Sequence, residues 1–64
     1  MSASVADQVK EMRVALGHTQ HSLSVQIGIH EMTISKWERG LARPHPVFIS
    51  ALRRLYEASM GQAA

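Results

Sequence analysis

A chain of 64 residues without a single cysteine cannot staple itself into shape. A domain this small buries only about 60% of the surface that its unfolded chain exposes, so its stability is marginal. Disulfides and a thiolate zinc site, two of the usual reinforcements, are excluded. What remains is a well-idealised helical core or a partner subunit. The composition, 45% hydrophobic and 19% charged, is that of a globular chain rather than a disordered one. No apolar run approaches the roughly 18 residues of a membrane span. The N-terminus lacks the basic region and apolar stretch of a signal peptide, so a cytoplasmic location is expected.

Apolar residues recur with a helical period, and the pattern predicts helices over residues 4–16, 20–27, 31–39 and 47–58. In the first, Val5, Val9, Met12 and Leu16 share a face, and Gly17 closes it. Thr19 offers its side-chain oxygen to cap the second, where Leu23 and Ile27 lie one turn apart, and Gly28 ends it. The third turns Ile34 and Trp37 inward and is capped by Gly40. A loop containing Pro44 and Pro46 leads to the last, with Phe48, Ile49, Leu52, Leu55 and Tyr56 at helical spacing. No stretch alternates with period two for long enough to be a strand. The expected core is Val9, Met12, Leu23, Ile27, Ile34, Trp37, Ile49 and Leu52. Repeats and interior linkers are absent, so residues 1–64 read as one domain with frayed ends at the first few residues and at the closing GQAA.

The two short central segments are joined by Gly28, Ile29 and His30, the layout of a helix-turn-helix. Gly28 can take the left-handed backbone geometry that reverses the chain, while Ile29 plugs into the core and sets the angle between the helices. With Ile34 and Trp37 drawn inward, Glu31, Met32, Ser35 and Lys36 fall on the opposite side. A helix so presented can enter the major groove of DNA, where its N-terminal residues meet base edges. Charge is distributed to match. Residues 36–54 carry +4, from Lys36, Arg39, Arg43, Arg53 and Arg54 against Glu38, whereas the first 35 residues carry −1. Such clustering attracts polyanions, although a solvated basic face without a partner is the plainer account of any charge cluster taken alone.

Arg13, Gly17, Thr19 and Gln20, Leu23, Gly28 and Ile29, Thr33 to Ser35, the run Trp37-Glu38-Arg39-Gly40 and Pro44 stand in one register from about Val9 to Leu55. In this the chain resembles the Cro and phage-repressor helix-turn-helix proteins, the XRE family of bacterial and phage regulators. The resemblance implies an all-α, lambda-repressor-like domain of four helices, with a fifth allowed for, and a helix-turn-helix over about residues 20–39. It implies a sequence-specific regulator of double-stranded DNA, a repressor bound as a homodimer to an inverted-repeat operator, in the cytoplasm of a bacterium or of a phage's host. By position, Gln20 would hydrogen-bond a phosphate at the start of the second helix. Glu31, Met32 and Lys36 would face bases, with Thr33 near a phosphate or a thymine methyl. Arg39 and Arg43 would grip the phosphate backbone, with Ser35 and His30 beside them. Arg13 and Glu38 would form a structural, mostly buried ion pair. Two domains roughly 34 Å apart would read successive major grooves, and Phe48, Leu55, Tyr56 and Met60 offer the apolar area for dimerisation.

Three positions depart from the family's pattern. His18 replaces an apolar residue, Ser24 an alanine, and His30 a serine or threonine that often caps the third helix. A neutral imidazole is a poorer cap than a hydroxyl, and its protonated form could meet a phosphate. Glu31 has two open readings, acceptor from a cytosine amine and first-turn acid on the helix dipole. His18 and His21 lie three residues apart, but no acid or cysteine completes a metal set, so exposed or capping roles are expected of the histidines. Arg53 and Arg54, adjacent on one helix, point partly to solvent. No cofactor, small-molecule ligand or membrane is expected as a partner. With no nucleophile beside a base, no carboxylate pair and no phosphate-cradling loop, the chain does not read as an enzyme. The competing class is an antitoxin or other protein-interaction module. Such a module would normally carry a further segment to wrap its partner, and the few residues beyond the helices favour DNA.

Overall fold

Helices in this protein start, and the first three also stop, at residues suited to the task. A computed structural model describes residues 4–61, and these hold α1 (Val5–Ala15), α2 (Gln20–Ile27), α3 (Glu31–Glu38) and α4 (Pro46–Gly61), with no strand. Ser4 caps α1, its hydroxyl accepting from the Asp7 amide at 3.1 Å. Thr19 and Ser22 form a reciprocal capping box on α2: Thr19 Oγ1 accepts from the Ser22 amide at 3.0 Å and Ser22 Oγ accepts from the Thr19 amide at 2.9 Å. The expected frayed ends fall outside the described residues, except that Gly61 is still part of α4.

Gly28 makes the turn. Its φ of +73° is left-handed, and the amides of Gly28 and Ile29 both donate to the Ser24 carbonyl, at 3.0 and 3.1 Å. A Cβ added there would meet nothing within 4 Å, so the cost of replacing this glycine is purely one of backbone conformation. Gly28→Ala should therefore lower stability by about 1 kcal/mol, and Gly28→Asn by less, because asparagine tolerates the left-handed region. Thermal unfolding followed by helical circular dichroism measures both.

The last helix differs from its expected range of residues 47–58. It begins at Pro46 rather than after it and runs to Gly61. Proline suits the first helical position because its missing N–H has no partner to lose there and its fixed φ is already helical. His45 then acts as the cap: its Nδ1 accepts from the Val47 amide at 3.1 Å, and its carbonyl from the Phe48 amide at 2.8 Å.

α1 packs against α3 and α4, and α2 against α3. Val9, Met12, Leu23, Ile34, Trp37 and Leu52 are buried, and Ile27 and Ile49, also expected there, pack half-buried against them. Pro44 is buried as well. Ser24, an unexpected core residue, satisfies its hydroxyl by donating to the His21 carbonyl at 2.6 Å. Phe48 and Tyr56, assigned from sequence to a dimer surface, give much of their area to this core. The Phe48 ring lies 5.7 Å from that of Trp37, centroid to centroid. A helical period shows which face of α4 is apolar, not whether that face meets its own core or another chain.

Candidate nucleic-acid interface

α3 is held from behind by its own apolar residues and at its C-terminal end by charge. Ile34 and Trp37 anchor it in the core. Arg13 of α1 donates from Nε to Glu38 Oε2 at 2.6 Å and from Nη2 to Oε1 at 3.0 Å, a two-point contact between side chains only 13% and 5% exposed. Arg13 Nη1 also donates to the His18 carbonyl at 2.8 Å, tying in the α1–α2 turn. Gln20, at the start of α2, donates its amide to Glu38 Oε1 at 3.2 Å. One carboxylate thus joins three helices. Burial pushes the Glu38 carboxyl up, but hydrogen bonds from Arg13 and Gln20 and the charges of Arg13 and Lys10 outweigh it, so the group sits below the ordinary value of 4.5.

The N-terminal end of α3 is finished differently. His30 Nδ1 accepts from the Met32 amide at 3.1 Å, so the imidazole does the work of the missing hydroxyl. A ring with its proton on Nε2 offers Nδ1 as this acceptor. That tautomer also presents Nε2–H as a donor, so contact with a phosphate would not require the protonated form.

Along the outward side of α3, Glu31, Met32 and Lys36 are exposed, Met32 by 57%, while Thr33 and Ser35 are half-buried. A methionine this open on a helix anchored by Ile34 and Trp37 adds nothing to the core. Arg39 is exposed at the end of α3, its Nε donating to the Ser35 carbonyl at 3.4 Å, and Arg43 is exposed in the loop beyond. His21 Nδ1 lies 3.2 Å from Glu31 Oε1, joining the first turns of α2 and α3. This contact spans ten positions of sequence and left no local signal. His18 Nδ1 lies 2.8 Å from Ser22 Oγ. Away from this face, Ile27 of α2 and Val47, Phe48, Ala51, Leu55 and Ala58 of α4 line a groove of about 590 Å³, with Gln26 and Arg54 beside them. Met60 is 60% exposed farther along α4. Among the described residues no helix is long and apolar enough to cross a membrane.

A family model described as helix-turn-helix matches residues 9–61, which takes in α2, α3 and α4 and all but the first four residues of α1. Among curated proteins, the chain is similar to the HTH-type transcriptional regulator DicA of Escherichia coli (strain K12), 30% identical over 56 residues. That alignment covers 88% of this chain and 42% of the relative, so the chain spans less than half of the relative's length. No solved structure matches it. With the turn at Gly28, the Arg13–Glu38 pair and the family match together, this chain belongs to the XRE-type helix-turn-helix family.

Proposed function

We propose that this protein is a sequence-specific DNA-binding regulator of transcription, a repressor that binds an inverted-repeat operator as a homodimer in the cytoplasm. The observation that carries this reading is the outward side of α3, where Glu31, Met32 and Lys36 stand exposed on a helix fixed at both ends. Their chemistry suits base edges: a carboxylate for a cytosine amine, an apolar thioether for a thymine methyl, an ammonium for guanine acceptors. Gln20, His30, Ser35, Arg39 and Arg43 supply donors for phosphates on either side, and Thr33 stands between the two roles. The similarity to a transcriptional regulator supports the same reading.

One copy makes too few contacts for operator affinity, and two copies spaced by about 34 Å would engage successive major grooves. The apolar groove between α2 and α4, with Phe48 and Leu55 lining it and Met60 beyond, is the surface we assign to that pairing.

Selection from a randomised duplex pool at two salt concentrations tests the whole reading. An inverted repeat should be recovered, and sedimentation on the selected duplex should show two subunits. Met32→Ala and Lys36→Ala should each change the preferred base at one operator position, with discrimination falling by about 1–3 kcal/mol. Recovery of no motif at either salt would overturn the proposal and turn attention to a protein partner.

A further inference from the structure

We propose that His21 is a positioning residue for base recognition, holding the Glu31 carboxylate in the pose that selects cytosine. The inference rests on Glu31 as a reader of base edges, as given above. An ionised carboxylate only accepts hydrogen bonds, so at 3.2 Å from Glu31 Oε1 the His21 ring donates from Nδ1. Neutral and protonated rings can both do this.

A glutamate left to itself in a groove is poorly suited to reading. Its side chain has three rotatable torsions, ordering it costs entropy, and the surrounding phosphates repel it. The His21 donor addresses both problems: it restrains Oε1, and it sets a positive hydrogen against the carboxylate where like charge is strongest. Oε2 remains to accept from a base. In the major groove, cytosine presents an amine donor, whereas adenine sets an acceptor, N7, beside its amine. A restrained carboxylate therefore favours cytosine.

Geometry separates this role from support of the fold. The side chains of His21 and Glu31 are 73% and 50% exposed, and exposed pairs contribute little to stability. Gln20, the neighbouring side chain on α2, donates to Glu38, whereas His21 reaches the first turn of α3.

The test is pool selection with the unaltered protein, Glu31→Ala, His21→Ala and His21→Asn, with melting temperatures measured alongside. The asparagine amide nitrogen occupies the place of imidazole Nδ1, so His21→Asn keeps the donor. The unaltered protein should prefer cytosine at one position by about tenfold, and His21→Ala should reduce that to about threefold, with His21→Asn close to the original. Glu31→Ala should abolish the preference at that position alone, and the melting temperatures should barely move. If Glu31→Ala left every position unchanged, Glu31 would not be a reader and the inference would fall with that reading. If Glu31→Ala relaxed a position that His21→Ala left intact, Glu31 would read unaided and the inference alone would fail. Equal weakening of all sequences by His21→Ala, or an asparagine variant no better than alanine, would also overturn it.

Discussion

Arg13→Ala is expected to leave the protein largely unfolded at 37 °C, losing about 3–5 kcal/mol. A 64-residue domain has only about 3–10 kcal/mol of stability in all. The loss is large because Glu38, 5% exposed, would keep its charge without the guanidinium that meets both its oxygens. Glu38→Ala should do comparable damage by stranding Arg13. Replacing both at once, Arg13→Met with Glu38→Leu, should recover most of the loss, since an apolar pair of similar volume leaves no buried charge. Urea titrations of the three variants measure this. Acid offers a second view of the same contact. Because the Glu38 carboxyl is held below its ordinary 4.5 in the folded protein, its stabilisation is complete above that value and disappears as pH falls through the lower folded-state value. Glu38→Gln should be less stable at neutral pH and show a flatter decline below about pH 4.5.

Raising salt from about 50 to 200 mM should weaken operator binding by about a thousandfold. The magnitude follows from the proposed contacts. Lys36, Arg39 and Arg43 are exposed on or beside the outward face of α3, so a dimer brings about six cations to the duplex, and each displaces counterions from DNA. The slope of log affinity against log salt should be near −5, and Arg43→Ala, which removes one cation from each subunit, should make it shallower by about 2. The same variant should weaken operator and random duplexes alike, because a phosphate contact carries no sequence information. Fluorescence anisotropy over a salt series gives both quantities. A slope unchanged by Arg43→Ala would remove that residue from the backbone contacts.

Helix boundaries and most of the core were legible in the sequence because each has a local cause. Gly17, Gly28 and Gly40 all take φ between +73° and +76° where the helices end, and Val9, Leu23, Ile34 and Leu52 keep to a helical period. Pro46 was misjudged as loop because proline ends a helix from within but suits its first position, and a pattern alone does not tell the two apart. His30 stood at the capping position in the sequence, but the cap at His45 went unseen with the start at Pro46, and which ring nitrogen accepts depends on a tautomer that a sequence does not record. Phe48 and Tyr56 showed how an apolar face on α4 leaves its occupant undefined. Hardest to foresee were contacts between distant residues whose types do not demand each other: Gln20 with Glu38, and His21 with Glu31. The Arg13–Glu38 contact was accessible only through resemblance.

The two sides of α3 answer to different demands. Ile34, Trp37 and Glu38 hold the domain together, whereas Glu31, Met32 and Lys36 touch its interior hardly at all. Substitutions at exposed positions of this kind usually shift stability by no more than about 0.5 kcal/mol. On the proposed reading of those outward residues, a lineage carrying this fold can drift to new targets one residue at a time, keeping a foldable domain at every step. A change on the inward side endangers the domain before it alters any target. On that reading, stability and choice of target are inherited through separate residues of one eight-residue helix.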